Sequence, residues 1–186
     1  MHHHCHAMFA LAVTAMATGC AVTTDTQGPS SEAEDTAEAA SAYTILETCY
    51  GDNDLYVAPP CFRGSYWDGS FAYDYNANNQ YWWNDVRYSD KYLSSAQWNF
   101  TTTKYGEVWF SAWVPSANAT GLANYAVNCG NGSLHATVDQ KLVFGKWVTL
   151  GDMGYLPVGT QCSVYVQNAR FGDRLAMDGM KMTTYQ

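Results

Sequence analysis

A period-two alternation of apolar and polar residues is the feature that most restricts how this chain can fold. The stretch "YGEVWFSAWVP", from Tyr105 to Pro115, sets Val108, Phe110, Ala112 and Val114 on one face of an extended strand and Glu107, Trp109, Ser111 and Trp113 on the other. A helix would space its apolar residues by about 3.6 positions, and no convincing stripe of that kind follows residue 105. The pattern therefore predicts strands with one face in a core.

The rest of the chain extends this prediction. The turn Gly130-Asn131-Gly132 separates "ANYAVNC" from "SLHATVDQ", which predicts a β-hairpin. Further strands are predicted at "KWVTLG", "CSVYVQN" and "RLAMDGMKM". Residues 43–104 are less regular: one or two strands are expected, around 71–75 and 86–88, and "CYGDNDLYVAPPC" (49–61) is interpreted as a turn-rich loop. The predicted fold is all-β, a two-sheet antiparallel β-sandwich.

Residues 1–20 have the features of a secretory signal peptide. Their apolar stretch, from Ala7 to Ala17, is too short to span a bilayer and is followed by small residues and Cys20. The run "ATGC" at 17–20 resembles the lipobox of bacterial lipoproteins, so Cys20 is the predicted lipidation site. Ordinary cleavage, after Ala17 or near Ala42, is the alternative. We expect a secreted or outer-surface lipoprotein of a bacterium, held at a membrane only through a lipid anchor.

Residues 21–42 are expected to be an acidic, disordered linker. They contain acids, no base and no large apolar side chain, so they cannot bury enough surface to offset the entropy cost of ordering. Much of the net charge of −8 falls in this segment. The remaining domain, residues 43–186, is weakly acidic, and this composition argues against nucleic acid as a partner.

The predicted domain contains four cysteines, Cys49, Cys61, Cys129 and Cys162. An even number of cysteines in an exported chain predicts two disulfides, which can pair in three ways. We favour Cys49–Cys61, which closes a short loop, and Cys129–Cys162, which can join the end of one strand to the start of another.

Several short motifs follow one another in a characteristic order between residues 64 and 184. They are Trp98, "YGEVWFSAWVP" (105–115), "YAV" (125–127), "VDQ" (138–140), "WVTLG" (147–151), Gly159, "VYV" (164–166) and "LAMDGM" (175–180). This order resembles the golvesin/xanthan-lyase type carbohydrate-binding-like domain. The resemblance implies a jelly-roll β-sandwich of the galactose-binding kind and a polysaccharide or glycan as ligand. The cysteines and the aromatic segment 66–88 depart from the family's pattern.

Aromatic residues are the candidate ligand-binding groups. A sugar ring can stack on an indole or phenol ring while Asn, Asp or Arg side chains hydrogen-bond its hydroxyl groups. The segment 66–88 mixes these residue types, and the polar-side positions of the strand at 105–115 add two tryptophans. The predicted ligand-binding residues are Trp67, Tyr73, Tyr75, Trp82, Trp83, Arg87, Trp109 and Trp113. Packing against the sandwich is the alternative role for the same rings.

Other prominent residues are expected to be structural. Trp98, Trp147 and Tyr105 are assigned to packing in the core or at sheet edges, and Gln140 to hydrogen bonds with loop backbone. Asp178 shares the alternation of Ala176 and Met180, so it needs polar partners or a bulge that turns it outward.

No cofactor is predicted, and calcium is the alternative. The series Asp74-x-Asn76-x-Asn78 with Asp85 in the twelfth place resembles a calcium loop but has Asn79 where glycine is required, and 52–54 is a second acidic stretch. No catalytic residues are predicted, since His135 is the only histidine after residue 6 and is expected on a strand surface.

These observations favour a non-catalytic module that binds polysaccharide. A structural or self-assembling envelope or matrix protein is the first alternative, because the same aromatic surface can bind another envelope protein or a second copy. A small polysaccharide lyase or hydrolase is the second, with a carboxylate pair drawn from Glu107, Asp139 and Asp178.

Overall fold

A computed structural model of the protein describes residues 43–52, 60–68, 70–75, 85–130 and 132–186. The described residues form twelve β-strands and no helix, so no helix among them could cross a membrane. The strands are β1 (Ile45–Asp52), β2 (Phe62–Trp67), β3 (Ala72–Tyr75), β4 (Asp85–Ser89), β5 (Ser95–Thr101), β6 (Gly106–Val114), β7 (Leu122–Cys129), β8 (Gly132–Asp139), β9 (Lys146–Leu156), β10 (Gln161–Asn168), β11 (Leu175–Met177) and β12 (Gly179–Tyr185).

The strands form three antiparallel sheets. A four-stranded sheet has the order β1-β12-β6-β9, and a five-stranded sheet has the order β2-β5-β10-β7-β8. A smaller sheet has the order β11-β4-β3. The predicted all-β sandwich is confirmed, with this three-stranded sheet as an addition that the sequence did not indicate.

The core lies between the two larger sheets. Phe100 of β5 and Phe110 of β6 are each 1% exposed or less, and their ring centroids are 5.8 Å apart. The two sheets approach so closely at Gly51 of β1 that a Cβ there would lie 2.6 Å from the ring of Phe62 in β2. Apolar contact between the sheets therefore leaves each of them one outward face.

The predicted alternation in β6 is confirmed. Val108, Phe110, Ala112 and Val114 are buried in the core, whereas Glu107, Trp109 and Trp113 are partly exposed on the other side. The predicted hairpin is also present, since β7 pairs with β8 from Leu122↔Asp139 to Cys129↔Gly132. Strand pairing thus follows the hydrophobic pattern wherever that pattern is strong.

The expectation for the N-terminal third is wrong in two places. Residues 43–104 form five strands where one or two were expected, although the two predicted near 71–75 and 86–88 are present as β3 and β4. Residues 49–52, assigned to a loop, complete β1. Their inward positions carry Cys49 and Gly51 where large apolar residues would have marked a strand.

The predicted strand "RLAMDGMKM" is divided. Leu175–Met177 pairs with β4 in the small sheet, and Gly179–Tyr185 pairs with β1 and β6 in the four-stranded sheet. Asp178 stands between them and is 1% exposed. The break is thus where one apolar run passes from one sheet to another.

Both predicted disulfides are confirmed. Cys49–Cys61 joins β1 to the residue preceding β2, and therefore links the four-stranded sheet to the five-stranded sheet. Cys129–Cys162 joins directly opposed positions of β7 and β10, with 4.2 Å between the two Cα atoms. One cross-link therefore acts between sheets and the other within a sheet.

Gln140 attaches the small sheet to the rest of the domain. Its side-chain Nε2 donates to the carbonyl of Ala176 in β11 at 2.7 Å, and the Ala176 N–H donates back to its Oε1 at 3.1 Å. Gln140 is 0% exposed, as its expected structural role requires. Burial raises the pKa of the neighbouring Tyr125 phenol, and a hydrogen bond with Gln140 partly offsets that shift.

Thr44, the second described residue, lies beside Gln186, the last one. The Thr44 N–H donates to the carbonyl of Gln186 at 2.9 Å, and the Gln186 N–H donates to the carbonyl of Thr44 at 2.9 Å. This pair extends the β1–β12 ladder to the end of the chain.

Removing the disulfides one at a time should destabilise the domain to different extents. Replacing both cysteines of a pair with alanine should lower the free energy of unfolding by about 3 kcal/mol for Cys49–Cys61 and about 4 kcal/mol for Cys129–Cys162, because the loop closed in the unfolded chain is longer for the second pair. The sequence separations are 12 and 33 residues. Urea denaturation of both variants measures the difference, and a reversed order would show that native contacts outweigh loop length.

Substituting Gln140 should loosen β11. Gln140→Met preserves volume but leaves the buried N–H and carbonyl of Ala176 without their side-chain partners, and we expect a loss of about 2–4 kcal/mol. Gln167→Met, on the half-exposed outward side of β10, is the matched control. Hydrogen exchange at the Ala176 amide should accelerate in the first variant only; equal stability of the two variants would contradict this role of Gln140.

Candidate functional site

The outward side of the four-stranded sheet carries a surface rich in aromatic rings, called here the aromatic face. Strand register places its rings and the polar residues between them on one side of β1, β12, β6 and β9, with Tyr43 just before β1. The members are Tyr43, Tyr50, Trp109, Ser111, Trp113, Trp147, Thr149, Lys181, Thr183 and Tyr185. The predicted pair Trp109 and Trp113 lies on this face, and both indoles are partly exposed.

Three rings and one cation meet at one end of the aromatic face. Trp147 forms an edge contact with Trp113, with ring centroids 5.6 Å apart, and a tilted contact with Tyr50 at 5.8 Å. The Lys181 ammonium lies 4.9 Å from the centroid of the Trp147 ring. Burial lowers the pKa of Lys181. These mutual contacts restrict the rotamers of the rings.

A cavity of about 340 Å³ lies at the other end of the aromatic face. It is lined by Tyr43, Trp109, Thr149 and Tyr185. The Glu107 carboxylate is the main cause of the raised pKa of the Tyr43 phenol. Tyr43 is 59% exposed, so its ring faces solvent beside the cavity. Small-ligand cavities combine apolar walls with a few polar groups in this way.

Hydroxyl groups separate the two ring clusters. Ser111 and Lys181 are directly paired across β6 and β12, as are Trp109 and Thr183. Ser111 is 7% exposed and Thr183 is 4% exposed, so their side chains lie beneath the surrounding larger ones. Thr149 is exposed and Lys181 is partly exposed, so the groups that the face offers between its stacking surfaces are one hydroxyl and one ammonium. This arrangement suits a ligand with both apolar faces and polar edges.

Trp67, Tyr73 and Arg87 form a second cluster, brought together from β2, β3 and β4. The Arg87 guanidinium carbon lies 5.1 Å from the centroids of both rings, and Tyr73 is directly opposite Arg87 in the β3–β4 ladder. Trp67 also forms edge contacts with the buried Trp98 at 5.3 Å and with Phe71 at 5.2 Å. Internal contacts therefore occupy much of the ring surface that a sugar would use.

The remaining predicted binding residues have no described side chain to compare. Trp82 and Trp83 lie outside the described residues, and Tyr75 ends β3 with its backbone opposite Asp85. The assignment of these three residues to ligand binding stays a prediction.

Sequence reasoning missed several members of the aromatic face. Tyr50, Tyr43 and Tyr185 were not singled out, and Trp147 was assigned to packing. Trp98 does lie in the core, whereas Tyr105 is 63% exposed and has its ring 5.9 Å from that of Tyr155. Alternation within β6 located Trp109 and Trp113, but the neighbours on the other strands depend on the register, such as the direct pairing of Trp113 with Trp147.

Three buried carboxylates converge where β1, β4 and the β11–β12 break meet. Asp52, Asp85 and Asp178 are 6%, 4% and 1% exposed, and each offers an oxygen within 4.8 Å of the others. Tyr73 donates a short hydrogen bond to Asp85. Carboxylate oxygens are the ligands that calcium prefers, so these residues could hold a cation.

This cluster differs from both loops that the sequence suggested for calcium. It takes one residue from each of them and adds Asp178. Asn76 and Asn78 of the first loop and residues 53–54 of the second lie outside the described residues. All three carboxylates are also buried, so a polymer in solution does not reach them. Glycoside hydrolysis by an acid–base pair requires that the pair contact the polymer.

Comparison with solved structures supports the fold through a match with a TM-score above 0.5. The structure resembles that of a Paenibacillus xanthan lyase, with a TM-score of 0.61 and 16% identity, over 74% of this chain and 13% of the lyase. This chain therefore spans a small part of the length of that enzyme. A CBM35 module from Cellvibrio japonicus matches with a TM-score of 0.47 and 13% identity, over 73% of this chain and 92% of the module. No curated protein matches the chain.

The family comparison covers most of the described domain. The model of the Golvesin C-terminal domain matches residues 61–184, from the second cysteine of the inter-sheet disulfide to the penultimate residues of β12. It includes every motif on which the resemblance in the sequence depends. The chain therefore belongs to the family of Golvesin C-terminal domains.

Proposed function

We propose that residues 43–186 form a non-catalytic module that binds polysaccharide outside the cell through the aromatic face. The observation that carries this proposal is the exposure of Trp109 and Trp113 on one rigid sheet surface, together with Trp147. Side chains on paired strands keep their spacing, so the rings are held in place before a ligand arrives.

The spacing of the rings suits an extended chain of sugars. Trp109 and Trp113 are four positions apart in β6, which corresponds to roughly 13 Å along a strand. A polymer lying along the strand could stack on both ring clusters, with hydroxyl contacts to the exposed Thr149 between them. Few contacts of this kind give weak affinity, which attachment at a surface and repetition along a polymer can raise through avidity.

The proposed location rests on the disulfides and on the segment before the domain. Cys49–Cys61 and Cys129–Cys162 are typical of an oxidising compartment. Residues 1–20 would direct export, Cys20 would carry a lipid, and residues 21–42 would act as the tether. The module would then be displayed at the bacterial surface, or released if cleavage replaces lipidation. A small part of a xanthan lyase resembles this domain in fold, which supports an association with polysaccharide at the level of fold alone.

Truncating the rings should weaken glycan binding. Trp113→Ala, Trp147→Ala and Trp109→Ala should each reduce the affinity for a retained polysaccharide by about 2- to 12-fold, as expected when a good aromatic contact is lost. A glycan array identifies the polysaccharide, and affinity gel electrophoresis then measures each variant. Tyr92→Ala is the matched control, since Tyr92 is 51% exposed in the turn between β4 and β5 and lies off the aromatic face.

Two outcomes would oppose the proposal. One is the absence of any retained glycan. The other is a retained glycan whose affinity none of the three tryptophan substitutions reduces. Sedimentation at several concentrations covers the assembly alternative: a monomer that binds glycan supports the proposal, and ring-dependent association without glycan binding would replace it.

A further inference from the structure

The outward side of the five-stranded sheet is a second, chemically different surface, called here the polar face. Its inward residues, among them Trp98, Val164 and Val127, are buried in the core. The outward positions of the same strands carry amide, hydroxyl, imidazole and guanidinium groups. They include Arg63, Tyr66, Gln97, Asn99, Thr101, Asn124, Asn128, Ser133, His135, Thr137, Ser163, Tyr165 and Gln167.

Carboxylates are almost excluded from these strands, although the chain carries a net charge of −8. Asp139 is the single acid within β2, β5, β7, β8 and β10, and it ends β8 beside Leu122. Gly132, at the opposite end of β8, is seven positions away, which is roughly 23 Å along a strand. Among the described strand residues of this sheet, the Gly132 end therefore carries no negative side chain.

A cavity of about 550 Å³ lies at that end, within the size range of small-ligand sites. Residues of four neighbouring strands, β2, β5, β10 and β7, line it: Arg63, Asn99, Thr101, Asn128, Gln161 and Ser163. Cys162 also contributes to the lining, so the Cys129–Cys162 disulfide fixes β7 to β10 beside the cavity. The cavity walls are thus rigid.

Some polar side chains at this cavity already form hydrogen bonds with one another. The Arg63 Nε donates to Thr101 Oγ1 at 3.1 Å, and Gln97 Nε2 donates to Asn99 Oδ1 at 2.6 Å. Within the described part of the chain, the side chains of Asn128, Gln161 and Ser163 make no hydrogen bond to other residues. Amide and hydroxyl groups both donate and accept, and so do the hydroxyl groups of a sugar.

Among the described residues that line the cavity, Arg63 is the only charged one. A guanidinium whose Nε is held by Thr101 still has its two amino groups, and it binds carboxylates in a planar, two-bond arrangement. Arg63 is exposed, and no carboxylate of the lining competes for it. The charge of the cavity is therefore complementary to a single anionic group on an otherwise neutral, hydroxyl-rich ligand.

We propose that this cavity is a second glycan site, which binds an acidic sugar of a polysaccharide with its carboxylate on Arg63 and its hydroxyl groups on Asn99, Asn128 and Gln161. The inference rests on the proposed function, and it adds the substrate class: a uronate-bearing polymer. The two faces use different chemistry, since the aromatic face binds ring surfaces and the polar face binds sugar edges and charge.

Polygalacturonate and its carboxyl-reduced, neutral form are the probes, measured by isothermal titration with the disulfide-bonded domain. We expect tighter binding of the acidic polymer, and Arg63→Gln should weaken that binding about 10-fold or more, as for loss of a hydrogen bond to a charged group. Arg170→Gln makes the same change in net charge at an exposed position after β10 and should leave affinity within about 2-fold. Equal affinity of both polymers, or equal effects of the two arginine variants, would overturn the proposal.

A second pair of variants adds a charge to the polar face without removing Arg63. Asn128→Asp places a carboxylate at the cavity and should weaken binding of polygalacturonate at least as much as Arg63→Gln. Asn124→Asp adds the same charge on the same face of β7, four positions away and roughly 13 Å along the strand, and should have a much smaller effect. Similar losses in both variants would indicate general repulsion and no site at Arg63.

The aromatic-face variants separate the two proposals. If Trp113→Ala weakens glycan binding while Arg63→Gln matches Arg170→Gln, the polar-face site is absent and the proposed function survives. If the wild-type domain retains no polymer, acidic or neutral, both proposals fail together.

Discussion

Apolar contact between the inner faces of the two large sheets determines where every other residue of the domain can go. Phe100 and Phe110 meet across that layer, and Gly51 brings β1 so near to Phe62 that a methyl group would not fit. Side chains alternate strictly along a strand, so burying one set of residues assigns the other set to an outward face. The aromatic face and the polar face are therefore consequences of the same packing.

The outward faces differ because the positions that alternate with the core residues carry different residue types in the two sheets. In β6 these are Trp109, Ser111 and Trp113, and in β5 and β10 they are mainly amides and hydroxyls such as Asn99 and Ser163. A sheet surface of either kind needs no conformational change to bind an extended polymer, because neighbouring strands already order its side chains. The buried trio Asp52, Asp85 and Asp178 stands apart from both faces, at a junction between sheets.

The fold could be predicted from the sequence where inward positions are large and apolar, as in β6, β7 and β10. It could not where they are small: β1 turns Cys49 and Gly51 inward, and no periodic signal marks it. The disulfide pairing favoured among the three that the sequence allows is confirmed. The alternation within β6 alone placed Trp109 and Trp113 on the outward face. The positions of Tyr50, Lys181 and Arg63 depended on the register between strands that are distant in sequence. The cluster of Asp52, Asp85 and Asp178 could not be predicted either, because it forms where strands of separate sheets come together.

The reciprocal hydrogen bonds between Thr44 and Gln186 have a mechanical consequence when combined with the inter-sheet disulfide. Tension applied to the chain before Tyr43 loads the end of the β1–β12 ladder, where antiparallel strands can peel apart one bond at a time. Peeling can advance only as far as Cys49, because the covalent link there transfers the load to Cys61 and the five-stranded sheet. A pulling force applied before Tyr43 would thus free a few residues at one edge of the four-stranded sheet, Tyr43 of the aromatic face among them, and leave the polar face intact.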